Sequence, residues 1–365
     1  MERDQDLVPR LQTGIWGWWL CLPFLLFVSL LLYVSGKERG QPAATPIIRA
    51  NQSKDLGAQV MAPAEFIFSS PKLGYVIPKG HWFAETKAAQ QQLRVLRNQG
   101  PSLAKGDWLG AHPEPGQSFT EYLASKPDRP TAQRHVIYLQ PLAMASQRHR
   151  SVVLIVAEFL SRYFRLPVRV LAEQSAAVVP ISTVRKRSGE FQLHTGTVMQ
   201  QVLVPQMPTD AVAVLAFTSL DLYNDPSWNY VFGEASWKHH VGIFSLARFG
   251  DADRDGTNFQ LLLLRALKTA THEAGHMFGL AHCTAQKCNM NGANSLEEGD
   301  HTPLALCPDC LAKVCWLTAT PLQQWLQDVY SLLLKHKLDA SQEFLAQLRA
   351  VGALPELGAD GSGTR

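Results

Sequence analysis

The feature that most constrains this chain is an eleven-residue stretch, His272-Glu273-Ala274-Gly275-His276-Met277-Phe278-Gly279-Leu280-Ala281-His282. Histidines at i and i+4 of a helix project to one side, so two imidazoles are brought together by local geometry alone. The apolar spacing predicts a long helix from about Phe259 through Leu280. Gly279 can take the left-handed conformation that ends a helix, and the chain can then turn to bring His282 to the same point as a third nitrogen ligand. Three nitrogens on zinc leave a position for water, whose pKa the metal lowers, and Glu273 beside the first histidine can take that proton and pass it to a leaving amine. Chance placement of these residues in a chain of this length is on the order of one in 10^5. Scattered histidines are therefore the weaker reading, and a zinc-bound but silent domain has no need of Glu273.

Cysteine usage points the same way. Five of the six cysteines, at 283, 288, 307, 310 and 315, crowd into one stretch, where a secreted disulfide scaffold spreads them out. Cys307 and Cys310 form a C-x-x-C knuckle and Cys283 with Cys288 supplies another pair, together a closed four-sulfur structural zinc site. Alternating disulfides are the competing reading, and Cys315 is expected to be a free buried thiol. Two zinc ions per chain are thus expected, one catalytic at His272, His276 and His282, one structural at the four cysteines. The acidic turn Asp251 to Gly256 imitates the start of a calcium loop, but its twelfth position is Leu262 where a carboxylate is needed, so it reads as a solvated turn.

The three histidines with Glu273 and Gly279 match the H-E-x-x-H-x-x-G-x-x-H arrangement of the metzincin peptidases. With the adjoining Cys283, the C-x4-C-x-M run to Met290 and the later Cys307-Pro308-Asp309-Cys310, the chain closely resembles the archaemetzincins, nearest their vertebrate archaemetzincin-1 and -2 group. Similarity extends to Asp107-Trp108, His112-Pro113-Glu114, Asp221-Leu222-Tyr223, Trp228 and Leu296-Glu297-Glu298, and covers roughly residues 107–314. The resemblance implies a zinc metallopeptidase acting on peptide substrates, with aminopeptidase-like cleavage of short peptides, Glu273 as base and Met290 as the methionine beneath the metal. The rival from another class is a membrane-tethered, catalytically silent zinc-binding module.

Before this region, no charged residue occurs between Arg10 and Lys37, and the apolar run 15–34 is long enough to span a bilayer. A single-pass anchor is expected there, after a tail at 1–14 and ahead of a tether at 35–64 rich in Gly, Pro and Gln. The catalytic part is placed in the cytosol because free thiolates suit a reducing compartment; a soluble cytosolic protein with a mis-assigned first exon is the alternative. Residues 65–130 form an N-terminal part of the globular region to which sequence assigns no chemistry. The catalytic domain is expected at 131–318, two C-terminal helices at 319–352 and a disordered tail at 353–365.

The expected fold is α/β (α+β): a zincin domain of metzincin type with a mixed sheet behind the active-site helix. Strands are predicted at His135–Leu139, Val168–Leu171, Ala211–Phe217 and Val241–Phe249, the last as an edge strand facing the cleft. Lys and Arg total 34 against 31 Asp and Glu, a net +3, and no phosphate-cradling loop or basic motif accompanies it, so nucleic acid is not an expected partner.

Overall fold

The computed structural model describes residues 66–68, 91, 94 and 100–353. The apolar run 15–34, the tether, and all but the first residue of the C-terminal tail lie outside them. Among the described residues no helix is long and apolar enough to cross a membrane.

A six-stranded mixed sheet forms the backbone of the molecule, in the order β1 (Phe66–Phe68), β3 (Val168–Val170), β2 (Val136–Leu142), β6 (Ala211–Thr218), β9 (Val241–Ser245), β8 (Gly233–Ser236). The central strands β3, β2, β6 and β9 are mutually parallel, while β1 and β8 run antiparallel at the two edges. Strands β2 and β6 are buried along their whole length. That is why they read as continuous apolar runs rather than alternating ones, as parallel strands covered on both faces do. A smaller sheet joins the hairpin β4 (Val184–Arg187) and β5 (Glu190–His194) to β7 (Asp221–Tyr223).

Eight helices are used below: α1 (Trp108–Ala111), α2 (Phe119–Ala124), α3 (Gln147–Tyr163), α4 (Gly256–Met277), α5 (Leu296–His301), α6 (Pro308–Thr318), α7 (Leu322–Lys335) and α8 (Ser341–Ala350). One face of the sheet meets α3 and α4 through Val153, Leu160, Leu263 and Leu267, and Trp325 and Phe344 of α7 and α8 extend the same core. The indole Nε1–H of buried Trp325 donates to Tyr163 O at 2.7 Å, so the C-terminal helices are anchored to the end of α3 by a satisfied polar contact. On the other face Val198, Met199, Val202 and Leu203, from an irregular helical stretch with a π turn, pack over Val214, Ala216 and Ile243.

The helix ends follow from local chemistry. Ser118 and Glu121 form a reciprocal capping box on α2, and Asp255 caps α4 by accepting the Asn258 N–H at 2.8 Å. The acidic turn Asp251 to Asp255 therefore serves as the lead-in and cap of the long helix.

One expectation is corrected. Val241–Ser245 is an interior strand, buried throughout and paired on both sides. The edge is β8, Gly233–Ser236, which is half-buried and carries no apolar alternation. The sequence hides it because a short edge strand flanking a cleft needs small and polar residues, not a β-branched run.

Candidate metal and active site

Helix α4 delivers His272, Glu273 and His276 on its last two turns, where Glu273 is buried and the two imidazoles lie with ring centroids 4.5 Å apart. The helix stops at Phe278, and Gly279 adopts φ +82°, the left-handed conformation expected of it. The reversal brings His282 to 5.2 Å from His272 and 4.9 Å from His276 between ring centroids.

The protonation pattern is set by the outward-facing nitrogens. His272 Nδ1 lies 2.8 Å from Asn289 O and His276 Nδ1 lies 2.7 Å from Leu280 O. Carbonyl oxygens only accept, so both Nδ1 atoms carry the proton. The two Nε2 atoms face each other at 3.0 Å. Burial, then the neighbouring His276 and His282, holds His272 well below the usual histidine range; burial, then His282, pushes His276 down to about 4. Both rings are then neutral near pH 7, and their Nε2 lone pairs confront each other with no proton between them. A cation between them resolves that repulsion. Nitrogens bound to tetrahedral zinc at ~2.0–2.1 Å lie about 3.3 Å apart, close to the spacing found, and one donor atom from each of the three histidines falls within 4.8 Å of the others. The donor set fits zinc.

Glu273 faces the same space. Burial, and after it the carboxylate of Glu234, pushes its carboxyl up to about 8. The edge strand passes directly over it at Gly233, where a Cβ would sit 2.6 Å from Glu273 Oε1. Only glycine permits that approach. Met290 is buried against Gly275, whose Cβ, were there one, would lie 2.8 Å from the Met290 sulfur. The methionine therefore supports the helix between the two histidines.

The cavity in front of the three histidines and Glu273 measures about 1200 Å³. Its rim is the loop between β7 and β8, which presents Trp228 and Tyr230, and its inner wall includes Phe232, Phe249 and Lys268. Arg185 holds the rim by donating to Pro226 O, Trp228 O and Asn229 O. Buried Asp221 ties it further, receiving Arg248 in a two-pronged pair at 2.9 and 2.7 Å.

Behind His282 the four expected cysteines converge. Cys283, Cys288, Cys307 and Cys310 are all buried and unbonded to one another, with their sulfurs within 4.8 Å. Cys283 and Cys307 sulfurs are 3.7 Å apart. That is far outside a disulfide and matches the ~3.8 Å edge of a zinc tetrahedron with ~2.3 Å bonds. Asn291 organises the loop between the first two cysteines, donating to Cys283 O and Gln286 O and accepting the Cys288 N–H at 2.8 Å. Cys315 stays outside the cluster as a buried cysteine in no disulfide, its thiol pushed up by burial.

Sequence reasoning missed three participants. Glu114 lies 2.8 Å from His282 Nδ1, Gln117 contacts Gly279 and Ala281, and Asn289 fixes His272 while its own amide donates to Thr271 Oγ1 at 2.7 Å. Only Glu114 left a trace, within the His112-Pro113-Glu114 similarity. Tyr223 and His301, two possible oxyanion partners by residue type, do not line the main cavity: Tyr223 donates its hydroxyl to Thr183 O, and His301 borders a separate, smaller pocket.

Residues 148–315 match the family model described as Peptidase family M54. The chain is 34% identical over 244 residues to archaemetzincin-2 of Rattus norvegicus, a match that covers 58% of this chain and 67% of that one. It is 31% identical over 257 residues to human archaemetzincin-1, covering 62% and 51% respectively. The crystal structure of archaemetzincin from Methanopyrus kandleri is similar at 29% identity and a TM-score of 0.42, over 54% of this chain and 98% of that one. On the sequence relatives, read with the converging histidines and cysteines, the chain belongs to the archaemetzincin family of zinc metallopeptidases, peptidase family M54.

Proposed function

We propose that the chain hydrolyses peptide bonds at the histidine cluster, with His272, His276 and His282 as ligands of a catalytic zinc and Glu273 as general base, while Cys283, Cys288, Cys307 and Cys310 hold a second, structural zinc. The observation that carries this reading is the pair of half-buried imidazoles, each with Nδ1 facing a backbone carbonyl, whose Nε2 atoms meet at 3.0 Å beside a carboxylate in an open cavity. The chemistry zinc supplies when bound is Lewis acidity, which lowers the pKa of a coordinated water towards 7 and polarises the scissile carbonyl.

The chain's own residues do the rest. Glu273, whose ionised form a zinc dication at the three histidines would favour against the burial that raises its pKa, accepts the proton of the attacking water and returns it to the leaving amine. An extended peptide pairs with the free edge of β8, which places its scissile carbonyl over Glu273 because Gly233 offers no side chain there. Trp228 and Tyr230 on the rim cover the opposite side of the substrate. Glu234, which lines the cavity one residue along the strand, supplies a negative charge for a substrate α-ammonium, in keeping with aminopeptidase-like cleavage of short peptides. The buried cysteines, none of them in a disulfide among the described residues, suit a reducing compartment, and the globular part is proposed to act in the cytosol, so that the Asn51-Gln52-Ser53 sequon stays unglycosylated.

The test is digestion of a peptide library by the full-length protein and its Glu273→Gln variant, with free and acetylated N-termini compared. Cleavage by the wild type alone, favouring free N-termini, supports the reading. Equal cleavage by a zinc-replete Glu273→Gln protein contradicts it.

A further inference from the structure

The third histidine is held by a part of the chain that precedes the family-matched residues 148–315. Glu114 Oε2 and Oε1 lie 2.8 and 3.0 Å from His282 Nδ1. The carboxylate is itself fixed, because Oε1 accepts the Trp108 Nε1–H at 2.9 Å while the Trp108 backbone N–H donates to Glu298 at 2.8 Å. The Trp108 ring meets His282 edge-on at 5.2 Å. Three residues further on, Gln117 Nε2 donates to Gly279 O and its Oε1 accepts the Ala281 N–H, each at 3.2 Å. Buried Lys313, on the same helix as Cys310, donates to both oxygens of Gln117. Between Glu114 and Gln117 the backbone turns through Gly116 at φ +71°, and it lies so close to Thr284 that a side chain there would overlap it.

The partners of the three histidines are therefore unequal. His272 and His276 donate to neutral carbonyls; His282 faces a carboxylate. An imidazole whose Nδ1–H is given to a carboxylate has a more basic Nε2 and a fixed ring plane. His282 also needs this most, since it sits on a turn beyond the helix and has no helical neighbour to set its rotamer.

We propose that Glu114 is the positioning residue for His282, and that Gln117, braced by Lys313, clamps the turn that carries it, so that metal affinity at the histidine cluster depends on residues 107–117. This rests on the reading that the three histidines hold zinc. The segment is then part of the metal centre, although it precedes the residues 148–315 matched by the family model and carries no ligand.

The test is competition of full-length wild type, Glu114→Gln and Trp108→Phe with a chelating dye, reading zinc release in its two stages, alongside the thermal midpoint of the proteins stripped of the readily released zinc alone. Glu114→Gln is expected to weaken the readily released zinc by about 10- to 100-fold. The tightly held zinc and the midpoint of the protein lacking only the readily released zinc should stay at wild-type values, and cobalt bound in place of that zinc should show an altered visible spectrum. Trp108→Phe keeps the ring but frees the carboxylate, and it should shift the same stage in the same direction by less, which keeps the proposal testable if Glu114→Gln does not fold. Wild-type affinity in folded variants, or equal losses at both stages, overturns the proposal. A wild-type chain that binds no zinc at the histidines overturns the underlying reading as well, and is recognised before any variant is compared.

Discussion

Two clusters of side chains that could each hold a metal ion lie side by side on one short run of chain, and they are built to opposite plans. The cysteine cluster is closed: all four cysteines are buried, and the loop around them is held by Asn291. The histidine cluster is open: its three donors line a cavity of about 1200 Å³ with Glu273 at its wall. His282 and Cys283 are adjacent residues, so a single peptide bond separates the open site from the closed one. Four thiolates complete a tetrahedron and can only support the fold, whereas three imidazoles leave one position for chemistry.

The contrast is broken most severely by removing the base from the open site. Glu273→Gln should lower peptide hydrolysis by about 10^2- to 10^4-fold, the range for a positioned general base, with zinc content unchanged by elemental analysis. Next in size is loss of a thiolate from the closed site. Cys288→Ser or Cys310→Ser should give protein that melts early or fails to fold, because metal binding at such a site contributes directly to folding free energy. His276→Ala should leave thermal unfolding cooperative while abolishing activity, and circular dichroism melts of the three proteins make the comparison.

Two glycines sharpen it further. Gly233→Ala places a methyl against Glu273 Oε1 and Phe244 Cβ, so activity should fall while the cysteine-bound zinc is retained, as read by assay and metal analysis. Gly275→Ala presses on the Met290 sulfur and should cost about 1–3 kcal/mol of stability by denaturant titration, the usual range for overpacking. The smallest effect is expected at Gln117→Ala, which removes one of the two hydrogen bonds to the Lys313 ammonium and leaves the one to the backbone carbonyl; it should cost about 0.5–1.5 kcal/mol in the same measurement, with a much smaller loss of activity than Glu273→Gln.

The metal clusters were legible in the sequence because their geometry is local. An i, i+4 pair, a glycine stop and a C-x-x-C knuckle fix donor positions within a few residues, while α4 follows from helical apolar spacing and β2 and β6 from apolar strand patterns. What escaped was non-local or weakly patterned. Glu114 reaches His282 across 168 residues, and no spacing rule links them. Strand β8 is four small or polar residues whose strand character comes from pairing with β9. For the same reason Val241–Ser245 looks like an edge: its Gly and Ser are accommodated by close packing on both sides, with Leu215 and Ala235 crowding Gly242. Asn289 and Asn291 carry no signal of their own, since the carbonyls they hold are positioned only when the loop closes.

The most direct test of the two plans is zinc stoichiometry of the full-length protein followed through stepwise chelation, with hydrolysis and circular dichroism recorded on the same samples. Two zinc ions per chain are expected. The first should leave readily, taking activity with it and sparing the fold, and the second should leave only as the protein unfolds. A single zinc, together with a disulfide joining Cys283 to Cys288 by mass spectrometry, would contradict the account.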